Sequence, residues 1–347
     1  MKMVKYAVCA ALGMALAVGS VFAGGGRQQQ SGGDTQSQSG GAQAAKYTVT
    51  FAGTEAATTG QSRAMQEMAD ILNRDGRFEV SVQVAGALSG DTDNLVTQAR
   101  TGVPLVVPTD PGRLASQFNI PDLNILMAPY VLTDISALDK LPNTALFKEW
   151  QTQLEAQGIS FVANMYNGFR SFYTTTPVSD VSGLRNLRIR GFGNNIGNAL
   201  AKYFSFANIG ITWGEVFPAI QQKTLDGCEV QVATAYGAAL YEVTPYLALT
   251  KHYMLQTSFV VSTNLLNQMT ADAKAFFLKT ISDTAKKYGQ IIAGEEDGFY
   301  QQFKDKGVTV TEVNIPDWEA AIAPLYTNND LGFSAGLKDR LFRELGL

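Results

Sequence analysis

A chain of 347 residues, 46% hydrophobic and 17% charged, carries apolar material for two modest cores rather than one. Its 27 basic and 31 acidic residues leave a net charge of -4, which gives no basic stripe and excludes a binder of nucleic-acid backbones. Beyond Ala23 no apolar run is long enough to cross a bilayer.

The first residues read as a targeting segment. Lys2 and Lys5 give a positive start, Tyr6 to Phe22 is almost continuously apolar, and Val21-Phe22-Ala23 is a small-residue cleavage site. The expectation is a signal peptide over 1–23, cleaved after Ala23, and a periplasmic protein. The alternative is a retained anchor, for which the stretch is short. Cys9 lies near the beginning of the apolar run, not at its end, where a lipid-anchoring cysteine belongs. Its removal leaves Cys228 alone, so no internal disulfide forms and the core must hold the fold. With His252 the single histidine, little remains for a thiolate or imidazole metal site, and no metal or cofactor is expected. Residues 24–45, rich in Gly, Gln and Ser, read as a flexible linker.

The folded part begins at Lys46. Tyr47 to Phe51 alternates as a strand does, and Gly53 ends it. Ala64, Met65, Met68, Ile71 and Leu72 recur at helical spacing until Asp75-Gly76. A strand over 78–84, a short helix over 94–100 and apolar Leu105-Val106-Val107 follow. Further on, the pattern predicts strands at 159–165, 187–190 and 230–233, with helices at 195–204 and 215–222. From Thr270 to about Phe303 there is no proline, and Phe276, Phe277, Ile281, Ala285, Tyr288 and Ile292 keep helical spacing. That predicts one long helix capped by Thr270, with Asp272 in its first turn and a length of ~50 Å at about 1.5 Å per residue. Helices alternating with apolar strands indicate an α/β chain with a largely parallel sheet.

The stretch from Asn167 to His252 carries the chemistry. It holds Gly168-Phe169-Arg170, Arg188-Ile189-Arg190, Trp213-Gly214-Glu215-Val216-Phe217, Asp226-Gly227-Cys228-Glu229 and Tyr246-Leu247-Ala248-Leu249-Thr250. In order and spacing these resemble the extracytoplasmic substrate-binding subunits of tripartite ATP-independent periplasmic (TRAP) transporters, the family of dicarboxylate- and sialic-acid-binding proteins. The resemblance runs from about Tyr47 to Val313. It implies a two-lobed periplasmic solute-binding fold with strand hinges and a long helix spanning both lobes. Lobe I would hold 46–168 with part of 256–300, lobe II 169–255, and 256–347 a C-terminal segment that includes the long helix.

By that resemblance Arg190, in the family's K-I-R motif, clamps the ligand carboxylate. Arg170, in its G-F-R motif, is a supporting cation, and Trp213 covers the ligand. The chemistry is sound by itself: a guanidinium presents paired donors that match both carboxylate oxygens, and a strand end fixes its stem. Asn194 and Asn195 open the next helix, whose positive end adds to an anion field. The alternative is that both arginines are surface residues in weak salt bridges and that Trp213 serves the core. The chain departs from the family where D-G-Q-E-N becomes Asp226-Gly227-Cys228-Glu229-Val230. Val230 cannot donate a hydrogen bond, although Gln231 is adjacent. A G-x-x-D pattern likewise becomes Gly102-Val103-Pro104-Leu105, and together these suggest a more apolar or differently oriented acid. In the first half, Thr54, Glu55, Thr92 and Asp110 fall in loops that follow strands or open helices and face the cleft, and open α/β sheets bind ligands at the carboxyl ends of strands. Asp110 reads equally as a solvated loop acid, and Cys228 as a small buried residue.

The resulting expectation is a binding protein for a small organic acid that feeds a TRAP membrane permease. Service to an ATP-driven importer or chemoreceptor is the alternative with the same fold. An exported hydrolase is a weaker one, since His252 is the one imidazole base.

Overall fold

A computed structural model describes residues 46–347, so the signal-peptide and linker expectations lie outside the described residues. Nine strands form one mixed sheet: β1 Tyr47–Ala52, β2 Phe78–Gln83, β3 Leu105–Thr109, β4 Ile159–Thr174, β5 Arg188–Arg190, β6 Ala207–Asn208, β7 Gly227–Gln231, β8 Tyr246–Ser262 and β9 Thr309–Glu312. The order is β2-β1-β3-β8-β4-β7-β5-β6, with β9 beside β8.

At one end β1 lies parallel to both β2 and β3, and the Gly60–Asp75 helix makes the first crossover. Thr59 caps that helix, its side chain accepting from the Ser62 amide at 3.3 Å. At the other end β5 lies parallel to β6 and β7. The middle is antiparallel: β3 with β8, β8 with β4, and β4 with β7. The sheet is therefore not largely parallel, because two strands of 16 and 17 residues run through its centre.

The strand expected at 159–165 is the first part of β4, but its continuation to Thr174 and the whole of β8 were not legible in the sequence. Asn167-Gly168 carries a turn signal, yet β4 continues through it as a bulge, with the register shifting between Tyr166 and Phe169. Gly168 sits at φ 102°, and a Cβ there would approach Gln231 Cβ to 2.9 Å, so the position requires glycine. β8 is buried on both faces over most of its length, which removes the alternation that marks a half-exposed strand. The sequence placed a strand at 230–233; instead β7 ends at Gln231 and Val232–Gly237 is a helix.

Three apolar clusters cover the sheet. One packs Val49, Phe51, Met65, Leu72, Phe78, Phe161 and Val260 around β1–β3 and the near ends of β4 and β8. The other two lie on opposite faces of the β5–β7 end. Consecutive strand residues face opposite ways, so Phe172 enters the second cluster with Ile189, Leu200, Phe204 and Trp318. Tyr173 enters the third with Val216, Cys228, Val230 and Phe303. The long helix is Ala271–Asp305, capped by Thr270 and with Asp272 in its first turn. It contributes Phe277, Ile281, Ala285 and Ile292 to the first cluster and Tyr300 and Phe303 to the third. It approaches the β4 bulge so closely that a Cβ on Gly289 would lie 3.2 Å from the Tyr166 amide nitrogen.

Candidate functional site

A cavity of about 120 Å³ opens beside the bulge of β4, at the carboxyl ends of β1 and β3. Thr54, Glu55, Thr92 and Asp110, the four first-half residues that the sequence placed in loops at the cleft, all line it. Gln61, Thr109, Arg113, Asn167, Gln256 and Thr257 also line it and were not foreseen. A signal existed for Arg113 alone: Asp110-Pro111 followed by an arginine reads as a helix start whose cap faces a cation. The Gln256-Thr257-Ser258 run was invisible because nothing in it marks which face of a buried strand meets the cavity.

Asp110 is buried and caps the Pro111–Phe118 helix, accepting from the Arg113 amide at 2.9 Å. Its other oxygen meets Arg113 Nε at 3.0 Å, and Arg113 Nη1 reaches Asp93 at 3.2 Å. Asp110 is thus not a solvated loop acid. Burial pushes its carboxyl up, against the pull of Arg113. Burial also raises Glu55, which Thr59 and Asn167 hydrogen-bond and hold back in part. The cavity wall carries carboxyls, the Arg113 guanidinium and neutral hydroxyl and amide groups.

Arg190, Arg170, Trp213 and Gln231, which the sequence predicted to meet the ligand, do not line this cavity; Phe192, stacked on Arg170, connects their cluster to it. Arg190 ends β5 and is half-buried, its Nε 3.4 Å from the Ile211 carbonyl and its guanidinium carbon 5.4 Å from the Trp213 ring centroid. Trp213 opens the Trp213–Gln221 helix and is half-buried against the third cluster. Among the described residues Arg190 makes no ion pair. Burial, and then the neighbouring Arg170 charge, lower its pKa, although a guanidinium stays charged.

Arg170 is fully enclosed and already engaged. Its Nε meets Glu229 Oε2 at 2.5 Å, Nη2 meets the Glu229 carbonyl at 2.5 Å, and Nη1 meets Gln231 Oε1 at 3.2 Å. Phe192 stacks 4.3 Å from the Arg170 guanidinium carbon and also lines the cavity. His252 Nε2 approaches Glu229 at 3.4 Å, while its Nδ1 bonds the Thr250 hydroxyl at 2.8 Å. Burial would raise Glu229, but Arg170 and His252 outweigh it and hold the carboxyl down at about 2. Burial lowers His252, leaving it neutral at pH 7. Two guanidiniums then face one carboxylate, and the cluster keeps one positive charge.

Strand alternation explains the remaining residues. Glu229 and Gln231 share the face of β7 that meets Arg170, whereas Cys228 and Val230 turn into the third core. Val230 therefore does not line the cavity, and its missing donor is no reason to expect an apolar acid. Cys228 is a buried free thiol, pushed up to about 12 by burial. Asn194 caps the Asn195–Phe204 helix, accepting from Gly197 N at 3.0 Å, and its Nδ2 has no partner. A Cβ on Gly112 would lie 3.1 Å from that Nδ2, so the starts of two helices meet beside the cavity.

Among the described residues no cluster of three His, Cys, Asp or Glu side chains is placed to hold a metal, and no helix is long and apolar enough to cross a membrane. The chain is 22% identical over 276 residues to the sialic acid-binding periplasmic protein of Vibrio cholerae, covering 79% of this chain and 85% of that one. It is 22% identical over 258 residues to the C4-dicarboxylate-binding periplasmic protein of Rhodobacter capsulatus, covering 73% and 76%. Its fold matches a TRAP periplasmic solute binding protein from Actinobacillus succinogenes with bound L-galactonate, at TM-score 0.79 and 22% identity, covering 86% and 99%. The family and these relatives are solute-binding proteins, not enzymes. Residues 51–330 match the model of the bacterial extracellular solute-binding proteins of family 7. The chain belongs to that family, as a TRAP-type solute-binding protein.

Proposed function

We propose that the chain captures a small organic acid through Arg190 and delivers it to the membrane permease of a TRAP transporter. One observation carries this reading: Arg190 is a half-buried guanidinium at a strand end, without a carboxylate partner among the described residues, in a cluster with one positive charge to spare. An incoming carboxylate supplies the missing partner and takes both donors of the planar fork. The named ligands of the relatives, sialic acid, C4-dicarboxylate and L-galactonate, are all carboxylic acids. Lobes of residues 46–168, with part of 256–300, and 169–255 would close on the acid by bending where β4 and β8 change register. Trp213, beside Arg190, would cover it. Export with cleavage after Ala23 belongs to the same reading.

The test is calorimetric titration with the acid that co-purifies with the protein. Arg190→Ala leaves a ligand carboxylate enclosed without its partner, which costs about 3–5 kcal/mol, a loss of roughly 100-fold to several thousandfold in affinity. Arg190→Lys recovers little of it, because an ammonium lacks the fork. Melting temperature changes little in either variant, since no ion pair is broken. Binding of Arg190→Ala within about threefold of wild type defeats the clamp.

A further inference from the structure

We infer that the connection 191–194 is a strap that closes over the cavity with Phe192 as its plug, and that Gly112 is the seat on which the strap docks. Among the residues that line the cavity, Phe192 alone comes from the stretch 168–254; the others precede or follow it in the chain. Its ring borders the cavity and also lies 4.3 Å from the Arg170 guanidinium carbon, so it stands where the cavity meets the arginine cluster. The strap begins at the residue after Arg190, which ends β5, so lifting the strap also moves the end of the proposed clamp. The binding arm of the test below rests on that clamp; the strap itself does not.

The strap is held at few points. Among the described residues no amide of Phe192, Gly193 or Asn194 donates to a backbone carbonyl, and a Cβ on Gly193 would meet no atom within 4 Å. Its one firm tie is Asn208, whose Nδ2 donates to the Phe192 carbonyl at 2.8 Å. A segment with so few bonds belongs to the least stable part of a fold and opens locally. Its far end rests on the first turn of the Pro111–Phe118 helix. A Cβ on Gly112 would lie 3.1 Å from Asn194 Nδ2, 3.2 Å from Asp110 Oδ1 and 3.4 Å from Ile196 Cδ1. Helix and strap therefore touch only because no side chain stands between them. The helix itself gives no reason for glycine there, since alanine or leucine is the better helix former by roughly 0.5–1 kcal/mol. Asn194 Nδ2 has no hydrogen-bond partner, so no bond from that group resists lifting.

The experiment treats the native protein with chymotrypsin, which cuts after aromatic residues, and follows the Phe192–Gly193 bond by fragment mass. When opening is fast relative to cutting, the rate measures the fraction of molecules with the strap lifted. Gly112→Leu fills the seat and should raise that rate about tenfold or more. Asn194→Asp still caps its helix, but sets a second carboxylate beside Asp110, and should raise the rate by about threefold or more. Urea midpoints of both variants should stay near wild type. An unchanged rate at this bond in both variants overturns the strap, and equal acceleration at bonds far from it overturns the seat, since the protein then opens as a whole. Succinate, L-galactonate and sialic acid, each added singly, supply the binding arm: an acid that binds wild type should protect the bond and bind Gly112→Leu about tenfold more weakly. If Arg190→Ala loses that acid while Gly112→Leu binds it as wild type does, the clamp stands and the strap's closing role falls. If Gly112→Leu weakens binding and Arg190→Ala does not, the clamp falls and the strap stands. Where none of the three binds, the cutting rates alone decide.

Discussion

The arginine cluster behind Phe192 and the cavity wall bury charge in opposite ways. Beside β5 and β7, Glu229 lies in a completed network: Arg170 on one edge, His252 on another, and its carboxyl held at about 2. Beside β1 and β3, Glu55 and Asp110 are pushed up by burial, and Glu55 has only neutral partners. A buried carboxylate with a guanidinium at 2.5 Å supports the fold, whereas one facing an open cavity is held at a cost. The first arrangement suits a rigid support, and the second a surface waiting for a ligand.

The largest effect should therefore come from breaking the completed network. Glu229→Gln leaves Arg170 enclosed without a counter-charge and should lower unfolding stability by about 3–5 kcal/mol, read from urea midpoints. Replacing both partners, Arg170→Met/Glu229→Met, should recover most of that loss, since a well-packed apolar pair avoids the desolvation of two ions. The pH dependence follows from the sign of the shift. Because the folded state holds Glu229 at about 2, below its ordinary 4.5, its stabilisation is complete above about 4.5 and is lost as pH falls toward 2. Glu229→Gln should remove that part of the acid slope, and an unchanged slope would place the acid sensitivity elsewhere.

A smaller effect is expected where the two are joined. Gly168→Ala forces a side chain at φ 102° and within 2.9 Å of Gln231 Cβ, on the residue that supports Arg170. The cost should be about 1–3 kcal/mol in thermal or urea unfolding. The same Cβ would lie 3.1 Å from Oε1 of Glu296 on the long helix, which accepts from the Phe169 amide at 3.1 Å. The strain thus falls on the contact between the bulge and the helix that reaches both cores. Wild-type stability in Gly168→Ala would show that the bulge relaxes freely.

This junction was also the least legible part of the sequence. The first crossover was readable because Tyr47 to Phe51 alternates and Ala64 to Leu72 keeps helical spacing, both local signals. The long helix was readable because Thr270 to Phe303 holds one period without proline. β8 carries no comparable period, since it is buried on both faces, and Asn167-Gly168 looks like a turn although the strand passes through it. Strand-end logic brought Thr54, Glu55, Thr92 and Asp110 to the cavity because their positions depend on chain order alone. Gln256 and Thr257 depend on the register of β8 against β4, which only the fold sets. The pairing of Arg170 with Glu229 needed β4 beside β7, a neighbourhood across 59 positions of sequence.

The smallest effect, and the one that most directly sharpens the contrast, is Glu55→Gln. Burial disfavours the charged form of Glu55, so its replacement by a neutral amide should leave stability at pH 7 unchanged or raise it, by less than about 1 kcal/mol for a half-exposed group. The sign with pH is opposite to that of Glu229. A raised carboxyl contributes stability below its ordinary 4.5 and loses that contribution as pH rises through the folded value. The advantage of Glu55→Gln over wild type should thus be greatest at neutral pH and vanish by about pH 4.5. Paired urea unfolding curves at several pH values measure it. If Glu55→Gln is less stable than wild type at pH 7, Glu55 belongs to a completed network like that of Glu229, and the proposed division between a supporting cluster and a receiving wall fails.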